Sequence, residues 1–216
     1  MTSAPTSRLR ASAHPLRLRI LSLLTGAELS ATDVAAELGT THANASYHLR
    51  VLHDAGLIVV AGEEKVRGGL VKRYRHPWDD PAAELADAAT ATAEDQLMFV
   101  RVAAEELVRR RAAAEQVRTT ERETGRDPGR RKRRGYQADA EMWVEPEVWD
   151  RVVDLLAEAG GLLHAEARPP RAPGTIPVNL TAFAFELGTG APAQAPGQGS
   201  VQESGQQPAR EPEADR

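Results

Sequence analysis

The most constraining feature of the chain is the spacing Ala35-x-x-x-Gly39-x-x-x-x-x-Ala45, set between two short helical patterns. Ser30 is suited to cap the first helix, and Asp33 three residues on completes a Ser-x-x-acidic start of the capping-box kind. Val34, Ala35 and Leu38 form its inner face, and Gly39 stops it. Thr40 or Thr41 can cap a second helix running to about Ala55. Ala45, Leu49 and Leu52 lie there at i, i+4 and i+7, and Gly56 closes it. Two helices that cross closely need a small side chain at the crossing, which Ala35 supplies. They also need a residue tolerant of positive φ at the turn, Gly39, and an apolar anchor on the second helix, Ala45 with Leu49.

The flanking patterns complete a small head. From Arg10 to Leu24, Leu16, Ile20, Leu23 and Leu24 recur at helical spacing, Pro15 fits a first turn, and Gly26 ends the helix. After Gly56 the pattern becomes extended. Leu57 to Val60 and Leu70 to Arg75 read as two strands, with Gly62 to Gly69 as a flexible hairpin turn. Three helices and a hairpin over residues 10–77 predict a winged helix-turn-helix. Residues 1–9, rich in Thr, Ser and Pro, read as a flexible N-terminus.

Pro77, Asp79, Asp80 and Pro81 mark the exit from the head. Residues 81–124 contain no internal Pro or Gly, and Leu85, Ala89, Val100, Ala103 and Leu107 fall on one helical stripe. About forty residues make a helix of ~60 Å, too long to bury that stripe against so small a head. A long dimerisation helix and a homodimer are therefore expected. Residues 136–186 read as a small α/β C-terminal extension. Its expected elements are a strand at 136–144, a helix from Pro146 to Gly160, and a last strand at 178–185. Trp143 and Trp149 flank the helix start and are assigned to a core. The basic run Arg130 to Arg134 reads as a solvated loop. Residues 187–216, of Gly, Pro, Gln, Ser and Ala without an apolar period, read as a disordered tail. The fold class is thus mainly α with a small β wing, a long helix and an α/β extension.

Charge is unevenly distributed along the chain. Residues 1–76 hold 10 Lys and Arg against 6 Asp and Glu (+4) and five of the six His. Residues 77–186 hold 15 against 21 (−6) and the last thirty 2 against 4 (−2), for −4 in all. A basic head on an acidic body suits a polyanionic partner. Cys is absent, which excludes disulfides, thiolate metal sites and cysteine nucleophiles. No run approaches the 18 apolar residues of a membrane span, and Arg17 and Arg19 interrupt the only apolar stretch near the N-terminus. The expected location is the cytoplasm. Asp139, Glu141, Glu145 and Glu147 have no nucleophile or phosphate loop beside them, so an enzyme is not expected.

With the apolar anchors set aside, the second helix presents Thr41, His42, Asn44, Ser46, Tyr47, His48 and Arg50. These hydrogen-bonding groups are sized for base edges and phosphates in a major groove. Asn44 is able to pair bidentately with adenine, and Tyr47 and Arg50 are able to hold phosphates. The hairpin adds Lys65, Arg67, Lys72, Arg73 and Arg75.

Residues 10–76 resemble the ArsR-type winged-helix regulators. The likeness is carried by His14-Pro15-Leu16-Arg17-Leu18-Arg19-Ile20-Leu21, by Ser46 to Leu52 with Ala55-Gly56-Leu57-Ile58, and by Val66 to Arg75. It implies a transcriptional regulator, most often a repressor, bound as a homodimer to double-stranded operator DNA. Many relatives sense metals, but this chain has no Cys and no His between residues 77 and 163, so neither a metal nor a cofactor is expected. Two alternatives stand beside this reading. One is a regulator gated by a small-molecule effector held by the C-terminal extension. The other is a winged helix used for protein contact without DNA.

Overall fold

In the computed structural model, the described residues are 7–66, 69–77, 91–125 and 134–187. The chain divides into a unit of Met1–Ala184 and a second of Phe185–Arg216. Of the latter only residues 185–187 are described, and they carry no regular secondary structure.

The head begins with α1 (Arg8–Ser12) and α2 (Pro15–Leu24). A single helix from Arg10 was expected. The break falls at His14, whose backbone is extended (φ −156°) because the ring of Pro15 disfavours helical geometry in the residue before it. His14 then caps α2, its Nδ1 accepting from the Leu16 N–H at 3.1 Å. Residues 7–9, expected to be loose, open α1, with the Ser7 hydroxyl as its cap.

The short strand β1 (Leu29–Ser30) leads into α3 (Ala31–Leu38). The capping box forms as expected. The Asp33 N–H donates to Ser30 Oγ and the Asp33 carboxylate accepts from the Ser30 N–H. Gly39 ends α3 in the left-handed region at φ 61°, where a Cβ would be strained. Thr41 caps α4 (His42–Asp54). The core is Ile20, Leu24, Val34, Ala45, Leu49, Leu52 and Ile58, all almost fully buried. Each such aliphatic side chain larger than alanine contributes about 1.5–3 kcal/mol of burial.

Strands β2 (Val59–Val66) and β3 (Gly69–Arg75) form the wing, and β1 pairs with β3 to give an antiparallel sheet ordered β1-β3-β2. The expected loop from Gly62 to Gly69 is therefore mostly strand. Gly62 marks a register shift next to Val60 rather than a turn, and the pairs Glu63↔Lys72, Glu64↔Val71 and Lys65↔Leu70 continue beyond it.

Helix α5 (Ala93–Glu123) spans 31 residues, about 46 Å at 1.5 Å per residue. The expected portion over residues 81–90 lies outside the described residues. The helix packs on α1 and α2 of its own chain. Near its start, Asp95 accepts from Ser7 Oγ at 2.7 Å and from Arg10 Nη1 at 3.3 Å. The Ser7 bond first, then that of Arg10, holds the Asp95 carboxyl below its ordinary pKa. Further along, Ala103 and Glu106 are buried. Burial alone would raise the pKa of Glu106, but hydrogen bonds and charge from Arg109 and Arg110 bring it below the usual value.

Helix α6 (Pro146–Glu166) runs further than the expected Gly160, and none of its residues is buried. The two strands expected in the extension are absent among the described residues: 134–145 and 175–187 have no regular structure. Alternation gives a segment two faces, but a strand also needs a neighbouring edge for its N–H and C=O groups, and neither segment has one. The extension is a helix between irregular segments. Trp149 is half-buried, whereas Trp143 is exposed and not part of a core.

Candidate nucleic-acid interface

The first turn of α4 presents its side chains outward because Ala45, Leu49 and Leu52 point the opposite face into the core. Thr41, His42, Asn44, Tyr47 and Arg50 are exposed, and Ser46 is half-buried. Thr41 Oγ1 is committed to its cap, accepting from the Asn44 N–H at 3.2 Å. Asn44 Nδ2 donates to Thr40 Oγ1 at 2.9 Å, which fixes the amide at the helix start. Tyr47 stands 52% exposed, and Arg50 lies one turn from Ser46 on the same face.

His48 is a correction. It is only 6% exposed, and its ring lies 4.5 Å from that of His14 and 5.1 Å from that of Tyr47, measured between centroids. It sits at i+3 from Ala45, on the buried flank of the helix, so it packs α4 against the start of α2 instead of facing outward. Burial, with the charges of His14 and Arg17, lowers its pKa. Burial followed by Arg17 and Arg19 does the same for His14. Both rings are neutral near pH 7.

The basic residues of the wing divide by role. Lys65 is exposed, and Arg67 lies outside the described residues. Lys72 is exposed, with Nζ 3.8 Å from the Glu63 carboxylate across the strand pair. Arg73 is bound into the fold. Its guanidinium donates to Asp33 Oδ2 at 3.3 Å, to Glu64 Oε2 at 3.4 Å and to the Glu28 carbonyl at 3.4 Å. It therefore ties the wing to the N-terminus of α3, an anchoring role the sequence did not signal, while its side chain stays partly exposed. Arg75 is half-buried at the root of the wing.

Sequence reasoning assigned no role at this site to Arg17 or His14, and read Asp33 as a cap alone. Arg17 is half-buried on α2. Asp33 serves the capping box and the wing anchor together. A position three residues after an N-cap Ser signalled only the first of these roles.

The expected dimerisation residues divide as well. Val100 and Leu107 stand at the surface of α5, about a third exposed. Ala103 is a correction, because it is buried against its own chain. Leu85 and Ala89 lie outside the described residues, as do Arg130 to Arg133 of the basic run, while Arg134 is exposed. Leu97, Val108 and Val117 add exposed apolar area to α5, and Val148, Val152 and Leu155 add it to α6. Among the described residues no three His, Cys, Asp or Glu side chains converge as metal ligands. None of the described helices is long and apolar enough to cross a membrane.

Residues 13–61 match the family model of a helix-turn-helix domain. The matched segment begins one residue before the α2 cap and ends in β2. It contains both helices of the motif and the Gly39 turn. No curated protein matches the chain.

Proposed function

We propose that this winged helix-turn-helix protein is an ArsR-like transcriptional regulator. It binds duplex operator DNA as a homodimer, in the cytoplasm, and acts as a repressor. The observation that carries the reading is the outer face of α4. Thr41, His42, Asn44, Tyr47 and Arg50 project from a helix whose other face is locked into the core, in the segment that matches the helix-turn-helix family. Such a helix lies in a major groove with its N-terminal residues at base edges. Asn44 reads adenine, while Tyr47 and Arg50 hold phosphates and set the register. Lys65 and Lys72 of the wing reach the neighbouring backbone. The function is binding, with no catalytic step.

The dimer reading rests on apolar surface that α5 leaves uncovered. Leu97, Val100, Leu107, Val108 and Val117 are all exposed along a helix of 31 residues. A second copy paired along this helix gives two recognition helices about 34 Å apart, the separation of half-sites one turn apart on an inverted repeat.

A gel-shift assay with genomic fragments tests the reading. The full chain should retard a subset of fragments, and the double variant Tyr47→Ala/Arg50→Ala should lose at least tenfold in affinity while keeping the wild-type circular dichroism. Undiminished binding by that variant would show that α4 is not the reading helix.

A further inference from the structure

Helices α2 and α5 and the C-terminal extension line an open cleft in two lobes. One lobe, of 290 Å³, has apolar walls of Leu18, Leu21, Phe99, Leu107, Leu180 and Phe183. The other, of 510 Å³, lies between Thr25–Glu28 and the end of α6. The lobes share Thr25, His76 and His164. Volumes of about 300–1,000 Å³ are those of small-molecule sites. The extension is clasped over the cleft at several points. Arg171 pairs with Glu37, Arg110 donates to Asn179 Oδ1 at 2.9 Å, and the Phe99 and Phe183 rings meet edge to face. Gly26 meets the Arg168 backbone so closely that a Cβ would stand 2.5 Å from the Arg168 carbonyl oxygen.

The polar groups on the walls narrow the ligand chemistry. The Glu106 carboxylate is taken up by Arg109 and Arg110, and Arg110 also donates to Ser22 Oγ. Thr25 Oγ1 donates to the Leu21 carbonyl. In the first lobe these groups are satisfied within the chain and offer a ligand no unmatched charge, while the second lobe is lined by the oppositely charged Glu28 and Arg75. His76 differs. Its Nδ1 lies 2.6 Å from the Leu57 carbonyl, which can only accept, so Nδ1 carries the proton. Its Nε2 is then an acceptor, with no hydrogen-bond partner among the described residues. Burial lowers the pKa of both histidines, that of His164 to about 4, so neither ring is charged near neutrality.

We propose that this cleft binds a neutral, largely apolar small molecule carrying one hydrogen-bond donor for His76, and that its occupancy changes the affinity for DNA. The second half rests on the regulator reading; the first does not. The position of His76 provides the coupling. Its N–H donates to the Leu24 carbonyl at the end of α2, and its ring is bonded to Leu57. The Leu57 N–H in turn donates to the Leu52 carbonyl in the last turn of α4. Strand β3 ends one residue earlier, at Arg75. A ligand on His76 therefore sits at the joint from which both the recognition helix and the wing depart. Helix α6, with no buried residue, can shift against that joint at little packing cost.

The probe is N-phenyl-1-naphthylamine, an uncharged fluorophore with one N–H donor, titrated into the full chain. Saturable binding is expected, weakened at least tenfold by Ala103→Trp, which fills the first lobe, and by Gly26→Val, which pushes the Arg168 segment away. Phe183→Ala, on an exposed segment, serves as the readout should Ala103→Trp fail to fold. Displacement by 1-naphthol should be at least fivefold more effective than by naphthalene, although naphthalene is the more apolar of the two. Unsaturable binding, or wild-type binding by the folded variants, would place the probe on the exposed faces of α5 and α6 and overturn the site. Naphthalene displacing as well as 1-naphthol would overturn the donor requirement. Saturating probe should shift the affinity for a bound genomic fragment at least threefold in the wild type and not in Gly26→Val; no shift overturns the gating. Should the wild type bind no DNA at all, the regulator reading fails while the probe titration still decides the site.

Discussion

Replacing Asp33 by alanine removes a single carboxylate that holds two parts of the head. It accepts from the Ser30 N–H at 2.9 Å and Ser30 Oγ at 2.8 Å, and from Arg73 Nη1 at 3.3 Å. Loss of a capping interaction costs about 1 kcal/mol. The Arg73–Asp33 pair, with both side chains some 40% exposed, is worth about 0.5 kcal/mol after solvent screening. Asp33→Ala should therefore destabilise the head by about 1.5 kcal/mol, read as a lowered urea midpoint at unchanged slope. Asp33→Asn, which keeps an accepting oxygen at the cap, should recover about half of that. In a double-mutant cycle with Arg73→Ala, the coupling energy should stay below about 1 kcal/mol.

The pH dependence of this contribution has a defined sign. The hydrogen bonds from Ser30, first from its backbone and then from its hydroxyl, hold the Asp33 carboxyl below its ordinary value, with a smaller contribution from Arg73. A depressed carboxylate stabilises above the unfolded pKa of ~3.9, and the benefit is lost as pH falls through the folded value. The difference between wild type and Asp33→Ala should thus be constant from pH 5 to 8 and shrink below about pH 4. A difference under about 0.3 kcal/mol at pH 7, or one that persists undiminished at pH 3, would refute the assignment of this carboxylate as cap and anchor.

Three further outcomes are expected. The pKa values of His14, His48, His76 and His164 are all lowered chiefly by burial, so the unfolded state takes up more protons as the pH drops below ~6.5, and stability should decline from there towards pH 4. Denaturation midpoints across pH 4–8 check this, and a flat profile between pH 6.5 and 4.5 would contradict the packing described for these rings. Val108→Asp, on the surface of α5 and away from the cleft, should convert a dimer into a monomer in analytical ultracentrifugation without loss of helix signal; a dimer that persists would remove α5 from the interface. DNA affinity should fall roughly a thousandfold or more between about 50 and 200 mM salt for a dimer holding about six phosphates, and a fluorescence-anisotropy titration with a slope near zero would contradict the phosphate-binding roles.

Much of the head was legible in sequence because its signals are local. The Ser30–Asp33 box, the left-handed Gly39, the Thr41 cap and the Ala45, Leu49, Leu52 stripe each act within one or two turns. They specify two helices and the turn between them through these short-range contacts. The sequence also marked the outward residues of the first α4 turn, since a helix with one apolar stripe leaves the opposite face to solvent.

Where the reading went astray, the deciding atoms were far away in the chain. His48 is chemically suited to a groove, and only the arrival of His14, thirty-four residues earlier, makes its position an interior one. Arg73 looks like its neighbour Lys72, but the pleat aims it at Asp33 and Glu64. Ala103 fits a dimer seam until α5 lies on α2. The alternating segments 136–144 and 178–185 have strand chemistry without a strand to pair with. In the head, local periodicity determined where α3 and α4 run and which stripe of each turns to the core. The tertiary structure alone decided which polar side chains are spent inside the chain, because a hydrogen bond or a ring contact depends on where the partner comes to rest, and no spacing along one helix encodes that.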